Sequence, residues 1–109
     1  MGINAFTKTG NTVVFTAATT APTPVQCAST TIGGNQYRII NAGQVTVFLG
    51  YGTTAAIANN SAVQVTSSQE AFPLLPNTDE ILTFVPNAYF TGVTTSGTAV
   101  VYITPGDGL

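Results

Sequence analysis

The sequence predicts an all-β sandwich or barrel of about eight short strands, on two observations. Runs rich in β-branched and aromatic residues recur along the chain, and turn-forming clusters separate them at intervals of roughly 8–12 residues. In order, the runs are Thr12–Ala17, Pro24–Thr30, Gln36–Asn41, Val45–Tyr51, Ala62–Ser67, Glu80–Val85, Ala88–Thr94 and Thr98–Thr104. The punctuation is Gly33-Gly34-Asn35, Asn59-Asn60-Ser61, Pro76-Asn77-Thr78-Asp79, Pro86-Asn87 and Ser96-Gly97. These residue types supply the backbone conformations that turns need. Thr54–Asn60 has room for a single helical turn, and no internal repeat is evident.

The stretch from Tyr37 to Gly52, "YRIINAGQVTVFLGYG", reads as a hairpin turning at Asn41-Ala42-Gly43-Gln44. Because strand side chains alternate, Val45, Val47, Leu49 and Tyr51 share one face, and Thr46, Phe48 and Gly50 the other. In the last run Ala99, Val101 and Ile103 oppose Val100, Tyr102 and Thr104. One face is apolar throughout, as a sandwich core requires. The other retains Phe48, Val100 and Tyr102, although a strand buried on one side alternates more cleanly. This predicts cover over the outer face by a partner or by the N-terminal arm. Arg38 is expected at an edge or interface, bonded to carbonyls or to a partner's carboxylate; a lone solvated arginine is the bland alternative.

A chain of 109 residues is one domain, large enough for a core without metals or disulfides. The expected organisation is an N-terminal arm over residues 1–11, a β-sandwich over 12–104 and a C-terminal tail over 105–109. The arm's large apolar anchors are Ile3 and Phe6. Pro105 lacks an N–H and glycines follow it, so "PGDGL" is expected not to continue a strand. Thr19–Pro24 reads as an extended connection. "MGINAFTKTG" lacks the cationic start and apolar run of a secretory signal and misses the myristoylation pattern at Phe6. A soluble chain made in the cytoplasm is expected.

Charged residues make up 6% of the chain, against roughly a quarter in an ordinary domain. They are Lys8, Arg38, Glu70, Asp79, Glu80 and Asp107, for a net charge of −2. No field exists to collect nucleic acid or anionic lipid. A Thr/Ser/Asn/Gln surface repels weakly and docks easily, which fits a subunit of an assembly or a secreted β-domain equally well.

Chemistry is hard to place. The absence of histidine removes Ser-His-Asp and Cys-His catalysis and the commonest zinc ligand. Cys27 has no second cysteine for a disulfide and reads as a small buried hydrophobe. Asp79 and Glu80 are adjacent; on a strand they point to opposite faces, and on a turn they cap it. A glycosidase pair would require Glu70 to converge with one of them. No phosphate loop or calcium cluster is present. Four tyrosines and six phenylalanines against two basic residues speak against single-stranded nucleic acid. Tyr37, Tyr51, Tyr89 and Phe90 are candidates for stacking on sugars, with core or interface packing the simpler role.

"YRIINAGQVTVFLGYGTTA" and "LLPNTDEILTFVPNAYFTGVTTSGTAVVYITPGDGL" together resemble the head decoration or cementing (staple) proteins of short-tailed phages. The similarity runs from about Gln36 to Leu109, strongest at "INAG…VFLGYGTTA" and "TAVVYITPGDGL"; residues 1–35 do not share it. The resemblance implies a jelly-roll-like domain bound to the outside of the capsid, clamping neighbouring major capsid protein subunits, often as a dimer. It implies no catalytic residue, cofactor or metal, and no nucleic-acid or membrane partner. Ile3, Phe6, Arg38, Phe48, Tyr102 and Leu109 are the interface candidates. Another virion part, such as a tail or fibre component, a carbohydrate-binding sandwich and an enzyme follow in that order.

Overall fold

The computed structural model describes residues 6–28, 35–69 and 71–108, and of Phe6, Thr7, Asp107 and Gly108 the backbone alone. Its elements are β1 (Phe6–Lys8), β2 (Val13–Ala17), β3 (Val25–Gln26), β4 (Gln36–Asn41), β5 (Val47–Gly52), α1 (Ala55–Ser61), β6 (Phe72–Leu74), β7 (Thr78–Thr83), β8 (Tyr89–Val93) and β9 (Ala99–Gly108). One antiparallel sheet has the order β1-β9-β4-β7, with β2 beside β1 on the same flank of β9; the other is β3-β8-β5-β6. The pairs β2–β9, β3–β8, β4–β7 and β5–β6 form one long hairpin. Successive rungs of that hairpin fall alternately in the two sheets, which is the winding of a jelly roll. The all-β sandwich expected from the sequence is therefore the fold.

Alternation explains the core. Phe15 and Ala17 of β2, Tyr37 and Ile39 of β4, and Ala99, Val101 and Ile103 of β9 point inward. Val47, Leu49, Leu74 and Phe90 face them from the second sheet. Tyr37 is fully buried because its hydroxyl is satisfied at both ends: it donates to the Val85 carbonyl (2.6 Å) and accepts from the Ala88 N–H (3.1 Å). The turn residues behave as their types require: Asn77, Asn87 and Gly97 sit at φ of 59°, 60° and 74°.

Four expectations need correction. The Tyr37–Gly52 stretch is not a hairpin, because β4 and β5 belong to opposite sheets. Its turn is an arch between layers, held by buried Asn41. The Asn41 amide nitrogen donates to the carbonyls of Val45 (2.9 Å) and Leu74 (3.0 Å), and its oxygen accepts from the Gly43 N–H (3.0 Å). Gly43 is required there, since a Cβ would lie 2.4 Å from that of Ala99.

Second, β9 runs through Pro105 to Gly108 and pairs with β1, so the 1–11 arm and the 105–109 tail both contribute to the sheet. The Thr9 N–H donates to the Pro105 carbonyl (3.0 Å). Both polar groups of a strand residue point the same way, so Pro105 supplies only the acceptor half of its pair with Thr9, and the bond its missing N–H forgoes falls at the end of β1, where the ladder breaks toward β2. Third, Ala62–Ser67 is not a strand. The Gln69 side chain accepts from the Thr66 and Ser67 N–H groups, curling the segment, and the strand lies later, at Phe72–Leu74. Fourth, Thr78 and Asp79 join Glu80 on β7 rather than belonging to the turn before it. Glu80 stands opposite Ile39, on the core side of the edge strand, yet is exposed. An inward charge of this kind blunts edge-to-edge pairing.

The one-turn helix extends to Ala55–Ser61, capped by Thr54, whose hydroxyl accepts from the Ile57 N–H (3.2 Å). It lies on the outer face of the four-stranded sheet. A Cβ on Gly50 would come within 2.3 Å of the Ala58 carbonyl oxygen, so only glycine admits the helix. Part of the outer apolar surface of β5 is thus covered by the chain's own helix.

Candidate functional site

The outer face of the five-stranded sheet has no such cover among the described residues. The register builds it in rows. Val14, Tyr102, Ile40 and Asp79 stand side by side across β2, β9, β4 and β7; Thr104, Arg38 and Ile81 form the next row, and Thr16 with Val100 the one on the other side. Val14 is 51% exposed, Ile81 45% and Tyr102 42%; Ile40 and Val100 are half-buried between them. A sheet face in water is ordinarily polar. Contiguous apolar side chains with a polar margin are the usual mark of a docking surface.

One ion pair crosses this face. Arg38 donates from Nε (3.1 Å) and Nη2 (3.0 Å) to Asp79 Oδ2 on the neighbouring strand. Both side chains are half exposed, so the pair adds little stability. It does tie the guanidinium to the neighbouring strand and leaves these rows without net charge. A hollow of about 370 Å³ opens beside it, between Arg38, Ile40, Ala42, Asn77, Thr78 and Asp79. The carboxylate for Arg38 is therefore the chain's own, not a partner's, and Arg38 lies on an interior strand of its sheet.

Of the interface candidates, Arg38 and Tyr102 are brought together here. Phe48 is half-buried on the outer side of the other sheet, and so cannot share a surface with them. Phe6 lies in β1, described only by its backbone, and Ile3 and Leu109 fall outside the described residues. Val14, Ile40 and Ile81 went unrecognised. The Val13-Val14 doublet was the available signal, since two adjacent valines in a strand must place one outward.

Among the described residues, Asp79 and Glu80 do not converge on one site. Asp79 is engaged by Arg38, and Glu80 projects from the opposite face of its strand. Glu70 lies outside the described residues, among which no group of three or more His, Cys, Asp or Glu could hold a metal ion. Of the sugar-stacking candidates, Tyr37 and Phe90 are fully buried, Tyr51 and Tyr89 half-buried.

Cys27 is fully buried, its thiol 3.6 Å from the Ile103 carbonyl oxygen, and burial pushes its pKa up to about 12. At pH 8 the native protein is expected to be inert to disulfide reagents and to react on denaturation. Its folded pKa lies above the unfolded value of 9.0, so the neutral thiol's contribution to stability is complete below pH 9. That contribution declines, by up to about 1.4 kcal/mol per pH unit, as the pH rises toward 12. Urea midpoints across this range, for wild type and Cys27→Ala, read the difference; identical slopes would contradict a buried neutral thiol.

No protein-family model matches the chain, and no curated protein sequence or solved structure matches it.

Proposed function

We propose that this chain is a structural virion protein: a decoration protein that binds the outside of a phage head and clamps neighbouring major capsid subunits. It works as a homodimer or higher oligomer, without a catalytic step or cofactor. The observation that carries the reading is the apolar outer face of the five-stranded sheet, which has no cover among the described residues and whose ion pair, Arg38–Asp79, is internally neutralised. Support also comes from the likeness of residues 36–109 to phage cementing proteins and from the jelly-roll winding.

The mechanism is area burial across a subunit boundary. Apolar surface removed from water contributes roughly 25 cal/mol per Å². Once one contact forms, the second is intramolecular, so two modest contacts hold the lattice strongly. A ligand that binds only the assembled lattice stabilises it by mass action. Few ions need be desolvated, because Arg38 and Asp79 already satisfy each other.

Adding the protein to filled heads that lack it should raise the temperature at which DNA escapes. The rise should saturate at a fixed ratio to capsid subunits. Salt should matter little, since two basic residues in the chain supply no strongly screened attraction. Unchanged head stability would remove the cementing role, and steep salt dependence would replace area burial with charge as the cause.

A further inference from the structure

A second surface lies on the other side of the molecule and is not used by the docking reading. Where β5 meets α1, a cleft of about 450 Å³ is lined by Tyr51, Gly52, Thr53, Ile57, Ser61 and Phe84. Tyr51 and Phe84 form its aromatic wall, edge to face with ring centroids 4.9 Å apart. They are the outer end of an aromatic series that starts in the core: Tyr37 packs on Phe90 at 4.9 Å, and Phe90 lies 6.2 Å from Tyr51. Two buried rings therefore hold the Tyr51 ring in place from behind. The opposite wall is Ile57, 48% exposed, and it is seated directly on the sheet: a Cβ on Gly52 would fall 2.3 Å from Ile57 Cγ2. Tyr51 and Thr53 are hydroxyl-bearing residues of the lining.

From this we infer that the cleft is a binding site for an uncharged pyranose ring, at the end of a glycan or in a short oligosaccharide. Three features select that class. Among the described residues no lining side chain is charged, so a phosphate, a carboxylate sugar or a cation would be desolvated without a counter-charge from them. A pyranose presents one apolar C–H face and a hydroxylated rim, matching an aromatic and aliphatic wall bordered by hydroxyls. A purely apolar ligand would leave those hydroxyls unpaired on binding. Rigid walls limit the ordering cost that otherwise weakens small ligands.

The test is titration of the ¹⁵N-labelled full chain with neutral methyl pyranosides of glucose, galactose, mannose and N-acetylglucosamine. At least one should give saturable shifts at Gly52, Thr53, Ile57 and Phe84, with Kd on the order of 1–10 mM for a single ring. Tyr51→Phe and Thr53→Val should each weaken that binding about threefold to tenfold, as loss of one hydrogen bond requires. Ile57→Glu should abolish it. That change preserves the helix start, because Thr54 followed by Glu at position 57 is a capping box. Absence of saturable shifts for all four sugars at 50 mM (about five times the weaker expected Kd), or shifts confined to other surfaces, overturns the inference. So does binding that Ile57→Glu leaves intact in a folded protein. Head binding through the five-stranded sheet should be the same in wild type and Ile57→Glu, so failure of either reading leaves the other standing.

Discussion

Replacing Asn41 with leucine should cost about 3–5 kcal/mol of folding stability, much of what a domain this small possesses. The two side chains are similar in size, so little of the loss comes from a cavity. It comes from the arch. Asn41 is fully buried and closes three backbone groups: the carbonyls of Val45 and Leu74 and the N–H of Gly43. Leucine removes this partner from the buried Leu74 carbonyl and from the partly buried Val45 carbonyl and Gly43 N–H, at up to about 1–3 kcal/mol each before relaxation. Asn41→Asp should fare no better, since it retains the acceptor, loses both donors and buries a charge. Urea denaturation of the purified variants measures this directly. A loss under about 1 kcal/mol would mean that water reaches the arch and that Asn41 does not hold the two sheets in register.

The other large effect concerns binding. Val14→Asp combined with Tyr102→Asp should weaken attachment to phage heads by at least about 100-fold, as expected when two central contacts of an interface each lose 2 kcal/mol or more. Both positions are about half exposed, so the loss of folding stability should stay modest, about 1–2 kcal/mol from facing carboxylates on paired strands, and leave the protein folded. The two residues are cross-strand neighbours, and adjacent carboxylates in one apolar row would be desolvated together on docking. Ser67→Asp combined with Ser68→Asp, on an exposed loop away from the sheet, is the charge-matched control. Retained binding by a folded Val14/Tyr102 double variant would show that another surface meets the head.

Much of the sheet content was legible locally. The run Gln36–Asn41 is β4 to the residue, and Asn77, Asn87 and Gly97 take left-handed conformations where turn residues had been read. The reason is that inward and outward alternation is a property of the backbone, written into every pair of neighbouring residues. Thr54 likewise announces the helix start, a local hydroxyl-to-N–H contact three residues long.

The candidate surface was only half legible. Tyr102 and Val100 stood out as apolar residues at outward positions, but their neighbours Val14, Ile40 and Ile81 come from three other strands. Arg38 and Asp79 are separated by 41 residues, so nothing near Arg38 in the chain identifies its carboxylate. The same limit applies to the arch: the alternation on either side of Asn41 is identical whether β5 folds back on β4 or crosses to the opposite sheet. The Leu74 carbonyl, 33 residues away, supports the crossing once the layers have closed around it. Most strands were therefore legible in the sequence through backbone periodicity, while β1, β6 and the curl at Ala62–Ser67 were not. Sheet membership, the passage of β9 through Pro105 and the composition of the outer face were decided by tertiary structure, because each depends on which distant strand supplies the neighbouring hydrogen bonds and excludes the water.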